Sequence, residues 1–198
     1  METLDALRAR IRQMEGRGEA MAPVRQVLST GVAAWDAAWG GLPSPGATEV
    51  VGPLGAGRAG LLAALARGAA GAIAWVEEER SLYPPALAAA GVCLSRVAWV
   101  RAPLTGIQVA VEQVVGSGCF SLVLVDLPRV PPGAWAHWGR AVLRGATALV
   151  VATERTVSDP AVTLRLSLSS GQITVIRARD GRLGRTAPLA AGVAACVS

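Results

Sequence analysis

The chain has 198 residues, a formal net charge of +5 and 52% hydrophobic residues, which suits one domain with a sizeable buried core. No apolar run approaches the ~20 uninterrupted residues of a membrane helix, because each run meets Arg, Glu, Gly or Pro. The first residues alternate charged and apolar side chains and lack the apolar stretch of a signal peptide, so we expect a cytoplasmic protein without a membrane partner.

The first predicted element is an amphipathic helix within residues 1–16. Leu4, Leu7, Ile11 and Met14 recur at spacings of three, four and three, so they form one narrow apolar seam. Two heptads do not make a stable coiled coil, so the seam must pack on its own domain, on a neighbouring protomer or on a partner.

After a linker and a first strand within residues 17–28, residues 29–198 are predicted to form one core domain. The pattern there alternates between strand and helix, as in a wound parallel sheet. Strands are predicted at 48–51, 72–76, 97–100, 122–125, 148–151, 163–168 and 172–177. Helices are predicted at 33–39, 59–67, 84–90, 107–116 and 133–144. A Ser-Ser-Gly turn signal joins the last two strands, so we predict an α/β fold with a mostly parallel twisted sheet, flanking helices and a C-terminal antiparallel hairpin.

A glycine-rich loop lies between the first of these strands and the next helix, which is the setting of a Walker A phosphate-binding loop. Gly52 and Gly57 match the glycines of the pattern, and Gly55 lies between them. Arg58 stands where a lysine should contact the phosphates, and Ala59 replaces the hydroxyl that should hold Mg²⁺. Because arginine is not equivalent to lysine and alanine offers no metal ligand, we predict weak or no ATP binding, no cofactor and no hydrolysis.

Acidic residues at two places could complete such a site. Asp126 ends an apolar strand of Walker B form, so its carboxylate should lie at the sheet edge near the glycine loop, unless it caps a turn before Pro128. Glu77, Glu78 and Glu79 follow another strand, where a water-activating glutamate would lie. We favour a solvated acidic loop for these three.

Aromatic and sulfur-containing side chains are assigned to the core. Trp35 and Trp39 are four residues apart on one predicted helix face. Trp135 and Trp138 flank His137 near several arginines, where stacking on single-stranded bases is the alternative to core packing. The single histidine receives no catalytic role. The cysteines (Cys93, Cys119 and Cys196) are odd in number and far apart, so we interpret them as small buried apolar residues and expect neither disulfides nor a metal site.

Several segments, in order, resemble the start of the RecA ATPase core. They are a Ser-Thr-Gly segment at 29–31, a Gly-Gly-Leu-Pro turn at 40–43 and the glycine-rich loop. The resemblance implies a RecA-like P-loop core in which Asp126 corresponds to the Walker B aspartate and Glu79 to the catalytic glutamate. It also implies that the short connections at 127–145 and 153–161 replace DNA-binding loops, so strand exchange is not expected.

Three segments, at 81–92, 95–101 and 112–118, are similar to the ImuA family, RecA-related accessories of bacterial mutagenic translesion synthesis. They contain a tyrosine–proline step, an alanine-rich helix ending in Gly-Val and a Trp-Val-Arg strand. The resemblance, over about residues 28–180, implies a non-catalytic adaptor of the SOS response to DNA damage. It would bind RecA and the inactive Y-family polymerase relative ImuB, act indirectly with an error-prone replicative-type polymerase, and modulate RecA filaments.

A group of arginines (Arg177, Arg179, Arg182 and Arg185) follows the predicted hairpin. In RecA-like filaments, basic residues at the positions of the first two reach the neighbour's nucleotide. Because no working nucleotide site is expected here, we interpret the group as a partner-binding surface, with a solvated hairpin as the alternative.

Other functions remain open at this point. One is a cell-division inhibitor of the SulA type, which shares a degenerate RecA-like fold. Another is a weak P-loop ATPase using Arg58, Asp126 and Glu79. A third is weak binding of single-stranded DNA, for which affinity should fall steeply with salt. A homo-oligomer is also compatible with the sequence.

Replacing Leu7 and Ile11 with aspartate tests the predicted seam. Because the charges would destroy its apolar face, we expect binding to RecA or to the ImuB-like partner to be abolished while circular dichroism stays unchanged. Unchanged binding in a pull-down would contradict the seam's assignment as the partner contact.

Overall fold

A computed structural model describes residues 26–78, 82–178 and 181–193, so the predicted helix at 1–16 lies outside the described residues. The strands are β1 (Gln26–Leu28), β2 (Leu42–Ser44), β3 (Gly46–Val51), β4 (Ile73–Glu77), β5 (Val97–Arg101), β6 (Leu122–Asp126), β7 (Ala148–Thr153), β8 (Val162–Ser169), β9 (Gln172–Arg177) and β10 (Thr186–Pro188). The helices are α1 (Ala33–Trp39), α2 (Arg58–Gly68), α3 (Pro84–Ala89), α4 (Leu104–Gly116), α5 (Ala134–Gly145) and α6 (Ala190–Val193). None of these helices is long and apolar enough to cross a membrane.

An eight-stranded sheet forms the centre of the fold, in the order β10-β9-β8-β3-β7-β6-β4-β5. The strands from β8 to β5 are parallel to their neighbours, whereas β9 and β10 pair antiparallel. In β6, Leu122 and Leu124 belong to one core cluster and Val123 and Val125 to the other, because successive side chains point to opposite faces. Helices α1, α2 and α3 cover the first face, and α4 and α5 cover the second. The predicted α/β fold with a mostly parallel sheet is confirmed.

The C-terminal hairpin is also confirmed. Ser169 of β8 pairs with Gln172 of β9, so only two residues form the turn. Those residues, Ser170 and Gly171, have φ values of 51° and 72°. Positive φ at both central positions is the geometry whose twist matches that of the flanking strands.

The sequence missed two short strands and one short helix. Both strands contain a proline, Pro43 in β2 and Pro188 in β10; residues 40–43 were interpreted as a turn, and no strand was predicted at residues 186–188. Proline is tolerated there because β10 is an edge of the large sheet and β2 pairs only with β1. The four residues of α6 are too few to show helical periodicity.

The four tryptophans assigned to the core are buried, as predicted. Trp35 and Trp39 stack with ring centroids 5.6 Å apart, and Trp135 and Trp138 meet edge to face at 5.5 Å. The Nε1 of Trp35 donates to the carbonyl of Pro188 at 3.0 Å, which ties α1 to β10.

The assignment of the cysteines to the core is wrong for the two that the structure describes. Cys93 and Cys119 are exposed. Each lies in a connection between elements rather than within a strand or helix, and connections run over the protein surface. Cys196 lies outside the described residues.

A buried ion pair links two adjacent parallel strands of the large sheet. Glu49 of β3 is the register partner of Arg165 of β8, and the Arg165 Nε donates to Glu49 Oε2. The same oxygen accepts from the Thr156 hydroxyl at 3.0 Å, and Arg165 Nη2 donates to the carbonyl of Val157 at 2.8 Å. The pair therefore also anchors the connection that follows β7.

Arg165→Met should destabilise the fold strongly, because it leaves the fully buried Glu49 carboxylate without its cation. We expect a loss of about 3–5 kcal/mol in the free energy of unfolding, measured by urea denaturation. Arg144→Met is the matched control, since its side chain is 58% exposed and lies 3.9 Å from Glu112. Its loss should stay below about 1 kcal/mol. Equal losses would contradict the importance of the buried pair.

Candidate functional site

The carboxyl ends of four parallel strands bring the predicted site residues together. Strand β3 leads into the glycine loop at 52–57, which runs into α2. Strand β4 ends at Glu77 and β6 at Asp126, and the two residues are register partners. Glu154 directly follows β7, the strand between β3 and β6. Ligand sites of open parallel sheets form at this edge, so the position of Asp126 agrees with the sequence prediction.

The glycine loop is closely packed on one side. Gly55 and Gly57 have φ values of 80° and 97°, which side chains with a Cβ rarely adopt. A Cβ at Gly57 would also clash with the side chain of Leu189, which packs directly against it. The Leu189 amide donates to the carbonyl of Gly171 at 2.8 Å. The segment after β10 therefore covers part of the loop.

The Arg58 guanidinium is turned into the protein. It is buried, with its side chain 9% exposed. Its Nη1 donates to the carbonyl of Gly52 at 3.3 Å, and its Nη2 lies 3.6 Å from Asp126 Oδ1 and 4.0 Å from Glu154 Oε1. The cation at the Walker A position thus contacts the loop and two strand-end carboxylates.

The Asp126 carboxylate is only partly compensated by Arg58. Burial raises the pKa of Asp126, the Arg58 guanidinium acts against this, and Glu77 and Glu154 raise the pKa further. Its Oδ1 is buried without a hydrogen-bond partner, because the ion pair with Arg58 is longer than a hydrogen bond. The ionised form of this group is therefore less favourable than that of an exposed aspartate.

Glu77, the last residue of β4, is held by hydrogen bonds to both of its carboxylate oxygens. Its Oε2 accepts from the amide of Leu82 at 3.0 Å, and its Oε1 accepts from Trp99 Nε1 at 2.8 Å. These bonds hold a carboxylate that is 1% exposed, so the prediction of a solvated acidic loop is wrong for Glu77. Glu79, which the RecA resemblance suggested as catalytic, lies outside the described residues.

Sequence reasoning missed Glu154. No motif marks it, yet it directly follows a buried strand, as Asp126 ends one. The rule that parallel strands end at one sheet edge could have identified it, once β7 was known to lie beside β6.

These side chains line a cleft of about 290 Å³, which we call the acidic cleft. Its charged lining consists of Arg58, Glu77, Glu78, Asp126 and Glu154. Among the described residues, four carboxylates and one guanidinium line the cleft, so their summed formal charge is negative. A polyphosphate entering the cleft would be repelled by these carboxylates. In the described ranges no group of three or more His, Cys, Asp or Glu side chains is placed to hold a metal ion.

The remaining predicted site residues differ in their exposure and contacts. Ala59 is exposed at the start of α2, and Gly52 is buried at the end of β3. Arg177 Nη1 donates to the carbonyl of Asp159 at 2.6 Å.

Two further arginines contact the last turn of α1. Arg182 donates to the carbonyl of Trp39, and Arg185 Nη1 donates to that of Ala37 at 3.4 Å. Cations are favourable at a helix C-terminus, so both stabilise α1. Arg179 and the seam of Leu4, Leu7, Ile11 and Met14 lie outside the described residues.

Comparison with known proteins adds nothing to this geometry, since no protein-family model and no curated protein matches the chain. What the site can do follows from its own charges and contacts. It holds a cation internally, presents carboxylates to the cleft and offers no hydroxyl at position 59.

Asp126→Asn should change the pH dependence of stability in a defined direction. Because the pKa of Asp126 is raised, the folded chain binds this proton more tightly than the unfolded chain. Its contribution to the free energy of unfolding therefore falls as the pH rises from the ordinary aspartate pKa through the raised value. The difference between wild type and variant, measured by urea denaturation between about pH 3 and about pH 7, should fall and then level off. A difference that rises with pH would contradict this assignment.

Proposed function

We propose that the chain is a RecA-like adaptor that does not turn over nucleotide, as the similarity to the ImuA family implies. In this proposal it is a cytoplasmic protein of the SOS response that binds RecA and an ImuB-like, inactive Y-family polymerase relative. It modulates RecA filaments during mutagenic translesion synthesis and acts only indirectly with the error-prone polymerase.

The P-loop ancestry is supported by the arrangement of the site. A glycine loop joins a central parallel strand to the start of α2, and Asp126 ends a second strand at the same edge. This is the placement that Walker A and Walker B residues need in order to meet one nucleotide.

The absence of turnover is supported by one observation, the closure of Arg58 onto Asp126 and Glu154. In phosphoryl transfer the Walker A cation faces the phosphates and the aspartate helps to hold Mg²⁺. Here the cation faces the aspartate and Glu154 instead, and Ala59 supplies no metal ligand. The same contacts argue against the weak ATPase.

An internal ion pair suits an adaptor for a further reason. A nucleotide-dependent protein changes its surface when the ligand binds or leaves, because the ligand favours one state. In this chain Arg58, which would respond to a phosphate, contacts the carboxylates of Asp126 and Glu154 in the same molecule. The surface presented to RecA or to the polymerase relative would therefore be formed without ATP.

The test adds the purified protein to RecA on single-stranded DNA and follows RecA's ATP turnover and the filament mass by light scattering. We expect a stoichiometric fall in both, because an adaptor without turnover would stop exchange at the protomers it binds. The chain alone should release no phosphate from ATP.

Arg144→Met serves as the control that should keep the full effect, since this exposed arginine lies away from the cleft. No effect at concentrations well above that of RecA would contradict the RecA-directed function. Mg²⁺-dependent turnover by the chain alone, lost in Asp126→Ala, would instead establish the ATPase. Binding to the tubulin-like division protein without affinity for RecA would establish the SulA-type alternative.

A further inference from the structure

A second cavity adjoins the acidic cleft. It has a volume of about 350 Å³ and lies between α2 and α3, over β4; we call it the α2–α3 groove. Most of its lining is apolar, including Ala59, Ala63, Trp75, Leu82 and Leu87. Tyr83, which is 66% exposed, also lines the groove. Exposed aromatic side chains beside an apolar depression are typical of protein contact surfaces.

The groove and the cleft are parts of one continuous surface, because Asp126 lines both. The two positions at which the loop departs from the Walker A pattern, 58 and 59, line different cavities. Arg58 lines the acidic cleft, and Ala59 lines the groove. An apolar depression and an acidic one thus meet at the start of α2.

The charge of the cleft indicates what the surface would bind. Among the described lining residues, four carboxylates outnumber one guanidinium, and Asp126 Oδ1 is buried without a hydrogen-bond partner. A cation brought close to Asp126 would favour the ionised carboxylate, whose pKa is raised in the free protein. Charge complementarity therefore favours a basic ligand over a phosphate or a nucleic acid.

We propose that the acidic cleft and the α2–α3 groove together bind a segment of a partner protein that carries a basic side chain beside an apolar one. The arginine or lysine enters the cleft, and the apolar side chain lies in the groove against Trp75 and Leu87. This interaction goes beyond the proposed function and does not depend on which protein supplies the segment.

A pair of labelled peptides tests the proposal with the full chain. The first is an alanine-based helical peptide with one leucine and one arginine a helical turn apart, and the second has citrulline in place of arginine. Citrulline keeps the shape of arginine and removes its charge. Fluorescence anisotropy should show the arginine peptide binding about tenfold tighter, with the ratio falling as salt is raised.

Variants then assign the preference to this surface. Glu154→Gln alone should reduce the ratio of the two peptide affinities, and its combination with Asp126→Asn should remove the preference for arginine. Glu112→Gln on α4, outside the cleft, should leave the ratio unchanged. Tyr83→Ala should weaken both peptides and keep the ratio, because Tyr83 contacts the apolar part. Circular dichroism checks that each variant is folded, and Glu154 is exposed enough for its substitution to be tolerated.

Equal binding of the two peptides, no binding of either, or a preference that survives the double substitution would each overturn the proposal. Displacement of the arginine peptide by ATP at matched ionic strength would also overturn it, since it would show an anion site. These outcomes are independent of the RecA assay, so failure of either hypothesis is recognised separately.

Discussion

The Arg58 guanidinium, held between the Gly52 carbonyl and the carboxylates of Asp126 and Glu154, is the contact on which the carboxyl edge of the sheet depends. A buried cation is tolerated only where opposite charges and acceptors surround it. A buried aspartate beside two further carboxylates likewise needs a cation. Each group therefore stabilises the other, and together they join the glycine loop to the ends of two strands.

A second buried pair extends this constraint along the connection after β7. At one end of the connection Glu154 contacts Arg58. Further along, Thr156 and Val157 contact the pair of Glu49 and Arg165. The Asp159 carbonyl then accepts a hydrogen bond from Arg177 of β9. The contacts that position this connection are made by protein groups.

These contacts bear on the proposed function, which does not require turnover. The backbone features of a phosphate site are present, with glycines at positive φ and a helix starting directly after them. The side chains do not favour a phosphate. Arg58 faces two carboxylates, and the described charged residues that line the cleft are negative in sum. The same surface that would repel a nucleotide is therefore suited to a basic protein segment, and the adaptor function proposed above would require no energy source.

The sequence by itself determined the longer strands and helices. Apolar runs and helical periodicity record which face of each segment is buried, so the predicted strands and helices lie within three residues of those observed. It also placed the glycine loop and Asp126, because an apolar run ends directly before that residue. The tertiary structure alone decided that Arg58 turns inward, that Glu154 joins Asp126, that Leu189 packs on Gly57 and that Cys93 and Cys119 face solvent. The reason is physical: periodicity is local, whereas the pairing of charges and the covering of a loop depend on strand order, which brings together residues far apart in the chain.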